Sequence, residues 1–164
     1  MSFRQVIGAD AVALVATLLR GEDDRWPIFL LGAGASFRSG VPTATEAVKQ
    51  IAKIVYSEQK LQRQRPPERV RPTEWEPWLR EQNWFNRAAT SLAENFPATV
   101  ENLLVPAELR KRVLLEIMKP RNGISTGYGV LADLVMRGLV RTILTTNFDP
   151  CLPDALRSRH PHIR

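Results

Sequence analysis

The chain has 164 residues, of which 44% are hydrophobic and 24% are charged, a composition typical of globular domains that excludes a disordered or collagen-like protein. Lysine and arginine outnumber aspartate and glutamate by 23 to 17, and the net charge of +6 favours anionic partners such as nucleotides and nucleic acids. Cys151 is the single cysteine, which excludes an internal disulfide and a cysteine-based zinc cluster and agrees with a reducing cytoplasm. The longest apolar run, residues 11–19, is too short to span a membrane.

The N-terminal part of the sequence predicts a helix, a strand, a turn and a second helix. Residues 5–20 carry apolar side chains at near-helical spacing and predict an N-terminal helix. Residues 26–31 form a short apolar run that ends at glycines, which predicts a strand buried on both faces, as in a parallel sheet. After a glycine-rich turn, the apolar residues of 44–55 recur with helical spacing and predict an amphipathic helix that faces the sheet.

Residues 60–87 form a segment rich in proline, tryptophan and arginine, which we interpret as an insertion. Its four prolines exclude one long helix. Basic residues alternate with Trp75, Trp78 and Trp84, as they do on surfaces that bind single-stranded nucleic acid. The alternative interpretation is a solvated loop whose tryptophans cap the core.

The C-terminal part of the sequence predicts two helices and a second strand. Helical patterns cover 107–119 and 128–137, and Gly138 follows the second of them as a typical C′ residue. Residues 140–145 are apolar and β-branched and predict a strand. Because a sheet covered by helices on both faces usually has about four to six strands, we expect this sequence to hold only the first part of a larger domain or of a longer polypeptide.

The first candidate site follows the first predicted strand and has the sequence GAGAS, residues 32–36. Glycines let backbone N–H groups approach an anion closely, and the N-terminus of the following helix adds partial positive charge. Phe37 stands where the dinucleotide fingerprint of dehydrogenases needs a third glycine, which disfavours an ordinary NAD-dependent dehydrogenase. A tight turn without a ligand is the alternative interpretation.

The second candidate site, TTNFD at residues 145–149, follows the second predicted strand. If the two strands are parallel neighbours, both sites lie at the carboxyl edge of one sheet and face each other. The Asn147 amide can donate and accept hydrogen bonds, whereas the Asp149 carboxylate only accepts them, a combination suited to holding ribose hydroxyls or orienting a water. For Asp149 the alternative is an Asx turn that caps the helix begun by Pro150.

These two motifs resemble those of the sirtuin family. Residues 32–43, GAGASFRSGVPT, are similar to the sirtuin NAD-binding loop, and residues 145–149 resemble the sirtuin TQNxD motif in the form found in bacterial sirtuin-like defence proteins. The resemblance implies an α/β fold over residues 1–164, with a Rossmann-like parallel sheet flanked by helices, that binds NAD and needs no metal. The residues that it places at the cofactor are Gly32, Ala33, Gly34, Ala35, Ser36, Pro42, Thr43, Thr146 and Asn147.

The sequence also departs from the sirtuin deacylases, and the departures imply a different reaction. Sirtuin deacylases follow their GxP segment with Asp-Phe-Arg, whereas residues 43–45 are Thr-Ala-Thr here, and the cysteines of the sirtuin zinc module are absent. The resemblance therefore implies hydrolysis of NAD at the nicotinamide–ribose bond. Asn147 would orient water or a ribose hydroxyl, and Asp149 would hold the loop or stabilise developing positive charge. A histidine would act as general base, for which His162 is a better candidate than His160. In the family this histidine typically comes later, on another strand or loop, so the alternative is that an incomplete chain lacks its base.

The resemblance further implies an effector domain of a bacterial antiviral system. Such a domain would work as a homo-oligomer, or in a larger defence complex with a sensor subunit or domain. A module that binds NAD or ADP-ribose without catalysis and assembles such a complex is the alternative. A nucleic-acid contact through residues 60–87 is a third hypothesis, whereas for Cys151 we expect only a small buried apolar residue.

Overall fold

The computed structural model describes residues 9–20 and 26–159. Within them the helices and strands are α1 (Ala9–Leu19), β1 (Ile28–Leu31), α2 (Ala44–Gln59), α3 (Pro72–Arg80), α4 (Phe96–Leu103), α5 (Ala107–Ile117), α6 (Thr126–Met136), β2 (Thr142–Thr145) and α7 (Cys151–Arg159). Short 3-10 helices span Ala33–Ser39, Pro67–Arg69 and Leu92–Asn95. None of these helices has the length and hydrophobicity that a membrane crossing requires. The predicted N-terminal helix is present from residue 9 onward, and its first residues lie outside the described part of the chain.

The two predicted strands are confirmed and form a small parallel sheet, so the described chain is of mixed α/β class with helices predominating. Ile28 of β1 lies opposite Thr142 of β2, and the pairing continues to the end of both strands. The prediction that β1 is buried on both faces is wrong. Phe29 and Leu31 are half-buried, but Ile28 and Leu30 are 64% and 72% exposed. The reason is that α6 and α7 supply apolar side chains that pack on the face of Leu31, whereas the other face is open among the described residues.

Helix α2 confirms the helix predicted from residues 44–55. It begins after Thr43, whose hydroxyl oxygen accepts a hydrogen bond from the backbone N–H of Glu46. The expectation that this helix faces the sheet is wrong, because its apolar stripe packs with α3, α4 and α5 in the larger hydrophobic core. Helical periodicity identifies the buried side of a helix but not the element that covers it. The stripe consists of Ala47, Val48, Ile51, Ala52 and Val55.

The segment 60–87 contributes buried side chains to this core, although most of its residues are exposed. It contains α3, which begins at Pro72, where the missing N–H of proline costs no hydrogen bond. Trp75 is only 2% exposed, and the ring of Trp78 contacts Tyr56 edge-to-face with centroids 5.5 Å apart. The interpretation as a stacking surface for nucleic acid is therefore wrong for Trp75 and Trp78, and the alternative that tryptophans cap the core is confirmed for both.

The end of α6 directs the chain into β2. Gly138 has φ of 72° and its N–H donates to the carbonyl of Val135, while the N–H of Leu139 donates to the carbonyl of Leu134. This pair of bonds is the Schellman arrangement that ends many helices at a glycine. The predicted C′ role of Gly138 is confirmed, and β2 follows directly and leads to the second candidate site.

Candidate functional site

The turns that follow the two strands meet at the carboxyl edge of the sheet. β1 leads into the 3-10 helix Ala33–Ser39, and β2 leads into the segment 146–150. The backbone N–H of Thr146 donates to the carbonyl of Leu31 at 3.1 Å, and Nδ2 of Asn147 donates to the carbonyl of Gly32 at 3.0 Å. The predicted convergence of the two motifs is therefore confirmed.

Four polar side chains form one hydrogen-bonded network at this junction. The hydroxyl of Ser36 donates to Oδ2 of Asp149 at 2.7 Å and lies 2.7 Å from the hydroxyl of Tyr128. Nδ2 of Asn147 lies 3.1 Å from the Ser36 oxygen and 3.3 Å from the Tyr128 oxygen. Ser36 and Tyr128 are buried, so these bonds form away from bulk water, where each is electrostatically stronger.

The positions of the protons follow from the acceptor-only chemistry of a carboxylate. Because Ser36 gives its one hydroxyl proton to Asp149, Tyr128 donates its own proton to the Ser36 oxygen. Of the two Nδ2 protons of Asn147, one points to the Gly32 carbonyl and the other lies between the Ser36 and Tyr128 oxygens. The amide nitrogen of Asn147 thus faces the protein. Its oxygen Oδ1 accepts no hydrogen bond from any described residue.

Asp149 has a second, local role at the start of α7. Its other oxygen, Oδ1, accepts a hydrogen bond from the backbone N–H of Cys151 at 3.0 Å. This is the Asx turn expected as the alternative for Asp149, and it is confirmed. The same carboxylate therefore starts a helix with one oxygen and orders the polar network with the other.

Cys151 is fully buried beside this network. Burial, followed by the hydrogen-bonding contact with Asp149, raises the pKa of the Cys151 thiol to about 11. The thiol is therefore neutral at physiological pH and a poor nucleophile. The expectation that Cys151 is a small buried apolar residue is confirmed.

A small cavity of about 110 Å³ lies between the two turns. Asn147 and Asp149 line one part of it, and Ala33 and Pro42 line another. Typical ligand cavities measure about 300–1,000 Å³, so this one has room for a single ring but not for a whole dinucleotide.

Two larger cavities adjoin the small one. An apolar cavity of about 500 Å³ shares Phe96, Met118 and Phe148 with it, and the Phe148 side chain is 82% exposed. An open, more polar cavity of about 640 Å³ shares Val41 and Pro42 with it. The three cavities are therefore neighbours that share lining residues.

The glycines of the first turn face open space. A Cβ atom added to Gly32 or Gly34 would meet no other atom within 4 Å, and neither residue has a positive φ. Gly40 differs, because its φ is 78° and an added Cβ would lie 3.1 Å from Arg121 and Asn122. The described protein thus requires glycine at position 40 for its own backbone, but it does not require glycine at 32 or 34.

The remaining predicted site residues take different positions. Thr43 caps α2 and lines the polar cavity. Ala35 packs against a second, smaller hydrophobic core, which includes Tyr128 and Ala132 of α6 and Ala155 of α7. Ser36 is fully buried, so its hydroxyl supports Asn147 and Asp149 from within the protein. His160 and His162 lie outside the described residues.

Sequence reasoning missed one member of the network. Tyr128 was expected only as the start of a helix, yet its hydroxyl contacts Ser36 and Asn147. No local pattern identifies this role, because Ser36 lies 92 residues away in the sequence.

The described residues contain no group of three or more His, Cys, Asp or Glu side chains that could hold a metal ion. No protein-family model and no curated protein matches the chain.

Proposed function

We propose that this chain is an NAD-hydrolysing domain of the sirtuin-like type, built on a Rossmann-like sheet. The observation that carries the proposal is the crevice where Asn147 meets the turn of Gly32 and Gly34, with open space beside both glycines. A backbone without side chains beside open space is what close approach of a phosphate requires. Because both turns resemble those of sirtuins, the ligand that we propose is NAD.

The cavities indicate how NAD would lie. The cavity of about 110 Å³ takes the nicotinamide ring, which places the bond to ribose beside Asn147 and Asp149. The pyrophosphate approaches the backbone N–H groups of Ala33 and Gly34. Arg38 and Arg121 line the adjoining polar cavity, and their positive charges attract an anionic ligand.

The proposed reaction breaks the bond between nicotinamide and ribose. Nicotinamide leaves as a neutral molecule, positive charge develops on the ribose, and the oxygen of a water forms the new bond while its proton passes to a base. Oδ1 of Asn147 accepts a hydrogen bond from that water or from a ribose hydroxyl, and the carboxylate of Asp149 stabilises the developing positive charge. His162 is the proposed base.

The test is the release of nicotinamide from NAD by the chain and by Asn147→Ala. We expect a rate roughly a hundredfold lower for the variant, because the group that orients the reactants is lost. Asn102→Ala is the matched control, since Asn102 is an exposed residue of α4 whose amide, among the described residues, bonds only the carbonyl of Ala98. Equal rates for Asn147→Ala and the unaltered chain would remove Asn147 from the mechanism.

A second measurement tests the base. His162→Ala should lower nicotinamide release by about a hundredfold or more if His162 takes the proton of water. His160→Ala serves as the control, because His160 stands only two residues away in the sequence. Unchanged release by His162→Ala would exclude His162 as the base.

One observation favours the alternative, a module that binds NAD or ADP-ribose without catalysis. Both oxygens of Asp149 already accept hydrogen bonds, from Ser36 and from Cys151, so this carboxylate is occupied with structure. Calorimetric titration with ADP-ribose, combined with the nicotinamide-release assay, distinguishes the two functions. Binding without nicotinamide release by the unaltered chain supports the module, and release supports the hydrolase.

We also propose, from the resemblance, that the domain serves as the effector of a bacterial antiviral system. It would act as a homo-oligomer or with a sensor subunit or domain. The exposed apolar face of the sheet, which carries Ile28, Leu30 and Leu144, supports packing against a further surface. The molecular mass in solution, measured with and without NAD, tests this proposal, and a monomer under both conditions contradicts the homo-oligomer.

A further inference from the structure

We propose that Tyr128 is a positioning residue of this site, whose phenol holds the Asn147 side chain so that its amide oxygen is presented to the ligand. The effect on turnover rests on the proposed NAD hydrolysis. The positional effect itself does not, and it is measured separately below.

Tyr128 reaches the site from α6. It lies in the first turn of α6 and is 3% exposed, so its hydroxyl has no access to bulk water. A buried phenol needs hydrogen-bond partners, and the partners here are Ser36 and Asn147. Both belong to the two turns that define the crevice. α6 thus reaches the site through one side-chain hydroxyl.

The directions of these hydrogen bonds favour one orientation of the Asn147 amide. Tyr128 donates its proton to Ser36, since the Ser36 proton goes to Asp149, and a Tyr128 lone pair is then directed to the Asn147 amide. Rotating that amide by 180° would place its oxygen against the Gly32 carbonyl and against this lone pair. Acceptors facing one another repel, so only one amide orientation is stable.

The Tyr128 hydroxyl acts on Asn147 and not on the glycines of the first turn. Tyr128 contacts neither Gly32 nor Gly34 through a hydrogen bond, and the open space beside those glycines does not depend on its hydroxyl. Loss of the hydroxyl should therefore leave the proposed phosphate contacts of NAD intact and loosen Asn147, whose proposed role at this step is to orient the attacking water. The expected result is a lower kcat with an unchanged KM.

Tyr128→Phe removes only the hydroxyl, and Tyr56→Phe is the matched control because the chain has two tyrosines. Tyr56 contacts Trp78 in the larger core and is remote from the network. We expect kcat for NAD about tenfold lower in Tyr128→Phe with KM within about twofold, and both constants unchanged in Tyr56→Phe. An unchanged kcat in Tyr128→Phe, or a change in KM alone, overturns the proposal.

The second readout needs no turnover. The side-chain amide protons of Asn147, assigned by their absence in Asn147→Ala, are followed by nitrogen-15 NMR. In Tyr128→Phe we expect them to shift and to exchange faster with water, and in Tyr56→Phe to stay as in the unaltered chain. If Asn147 is unaffected in Tyr128→Phe, the positional claim fails even where NAD is hydrolysed. If the unaltered chain does not hydrolyse NAD but Asn147 shifts, the proposed function fails and the positional claim stands.

Ser36→Ala gives a further test should Tyr128→Phe fail to fold. It removes the oxygen that joins Tyr128 to Asn147 and Asp149. With tyrosine labelled with carbon-13 at Cζ, the Tyr128 signal should move in this variant and the Tyr56 signal should not. A stationary Tyr128 signal would contradict the network.

Discussion

Nδ2 of Asn147 donates a hydrogen bond to the carbonyl of Gly32 across 3.0 Å, although 115 residues separate the two in sequence. The bond joins the turn after β1 to the turn after β2, and the parallel register of Leu31 with Thr145 brings the two turns to the same level. A register shift by one residue would reverse the faces of every side chain in β2 and carry Asn147 away from Gly32. The crevice therefore depends on strand pairing as much as on the motifs.

Gly34→Ala separates ligand binding from stability. Because the added Cβ meets no protein atom and φ is not positive, we expect the free energy of unfolding to stay the same or to rise by up to about 1 kcal/mol. ADP-ribose affinity should fall at least about tenfold, since the methyl group occupies the space proposed for phosphate. Urea denaturation and calorimetric titration measure the two quantities, and undiminished affinity would contradict the proposed phosphate position.

Gly40→Ala is the contrasting control for that experiment. The left-handed backbone at φ of 78° and the approach of Arg121 and Asn122 to 3.1 Å both oppose a Cβ here. We expect the unfolding free energy to fall by about 1–2 kcal/mol. Stability equal to that of Gly34→Ala would show that the backbone at position 40 tolerates a side chain.

Two substitutions of Asp149 distinguish its roles. Asp149→Ala removes the acceptor of the Cys151 N–H and should cost about 0.5–2 kcal/mol of unfolding free energy, as loss of a helix cap does. Asp149→Asn can keep an oxygen toward Cys151 but presents N–H to Ser36, which reverses the proton order there. We expect Asp149→Asn to be the more stable variant in urea denaturation. Both variants should release nicotinamide more slowly than the unaltered chain, and full activity in Asp149→Asn would show that the proton order is irrelevant.

The buried thiol of Cys151 makes stability depend on alkaline pH. Burial raises its pKa from 9.0 to about 11, so between these values the unfolded chain releases a proton that the folded chain retains. The contribution to stability is complete below about pH 9 and is lost as the pH rises toward 11. Urea denaturation at pH 8 and at pH 10.5 should show a larger decrease for the unaltered chain than for Cys151→Ala. An equal decrease in both proteins would show that this thiol is not the cause.

Trp75→Ala tests the assignment of segment 60–87 to the core. Trp75 is 2% exposed within the larger core, and its loss should cost about 3–5 kcal/mol. Trp26→Ala is the control, because Trp26 is 38% exposed and its ring stacks with the Arg141 guanidinium at 3.6 Å. That contact is worth about 0.5–1 kcal/mol at an exposed site. Similar losses in both variants, measured by urea denaturation, would contradict the burial of Trp75.

The elements predicted from the sequence were those with strong local signals. Helix α2 has an apolar stripe and a capping threonine at Thr43, and Gly138 ends α6 with a left-handed residue. Residues 88–106 carried no comparable pattern, and the helix Phe96–Leu103 was not predicted. This helix packs against α2 in the larger hydrophobic core.

The sequence by itself determined both strands, most helices and the order of the two motifs, because hydrophobic periodicity, capping and glycine conformations act over a few neighbouring residues. Only the tertiary structure decided that α2 faces helices, that one face of β1 is open, and that Tyr128 joins Ser36 and Asn147. These properties arise from contacts between residues far apart in the chain. Such contacts depend on how the elements pack, which no local pattern encodes.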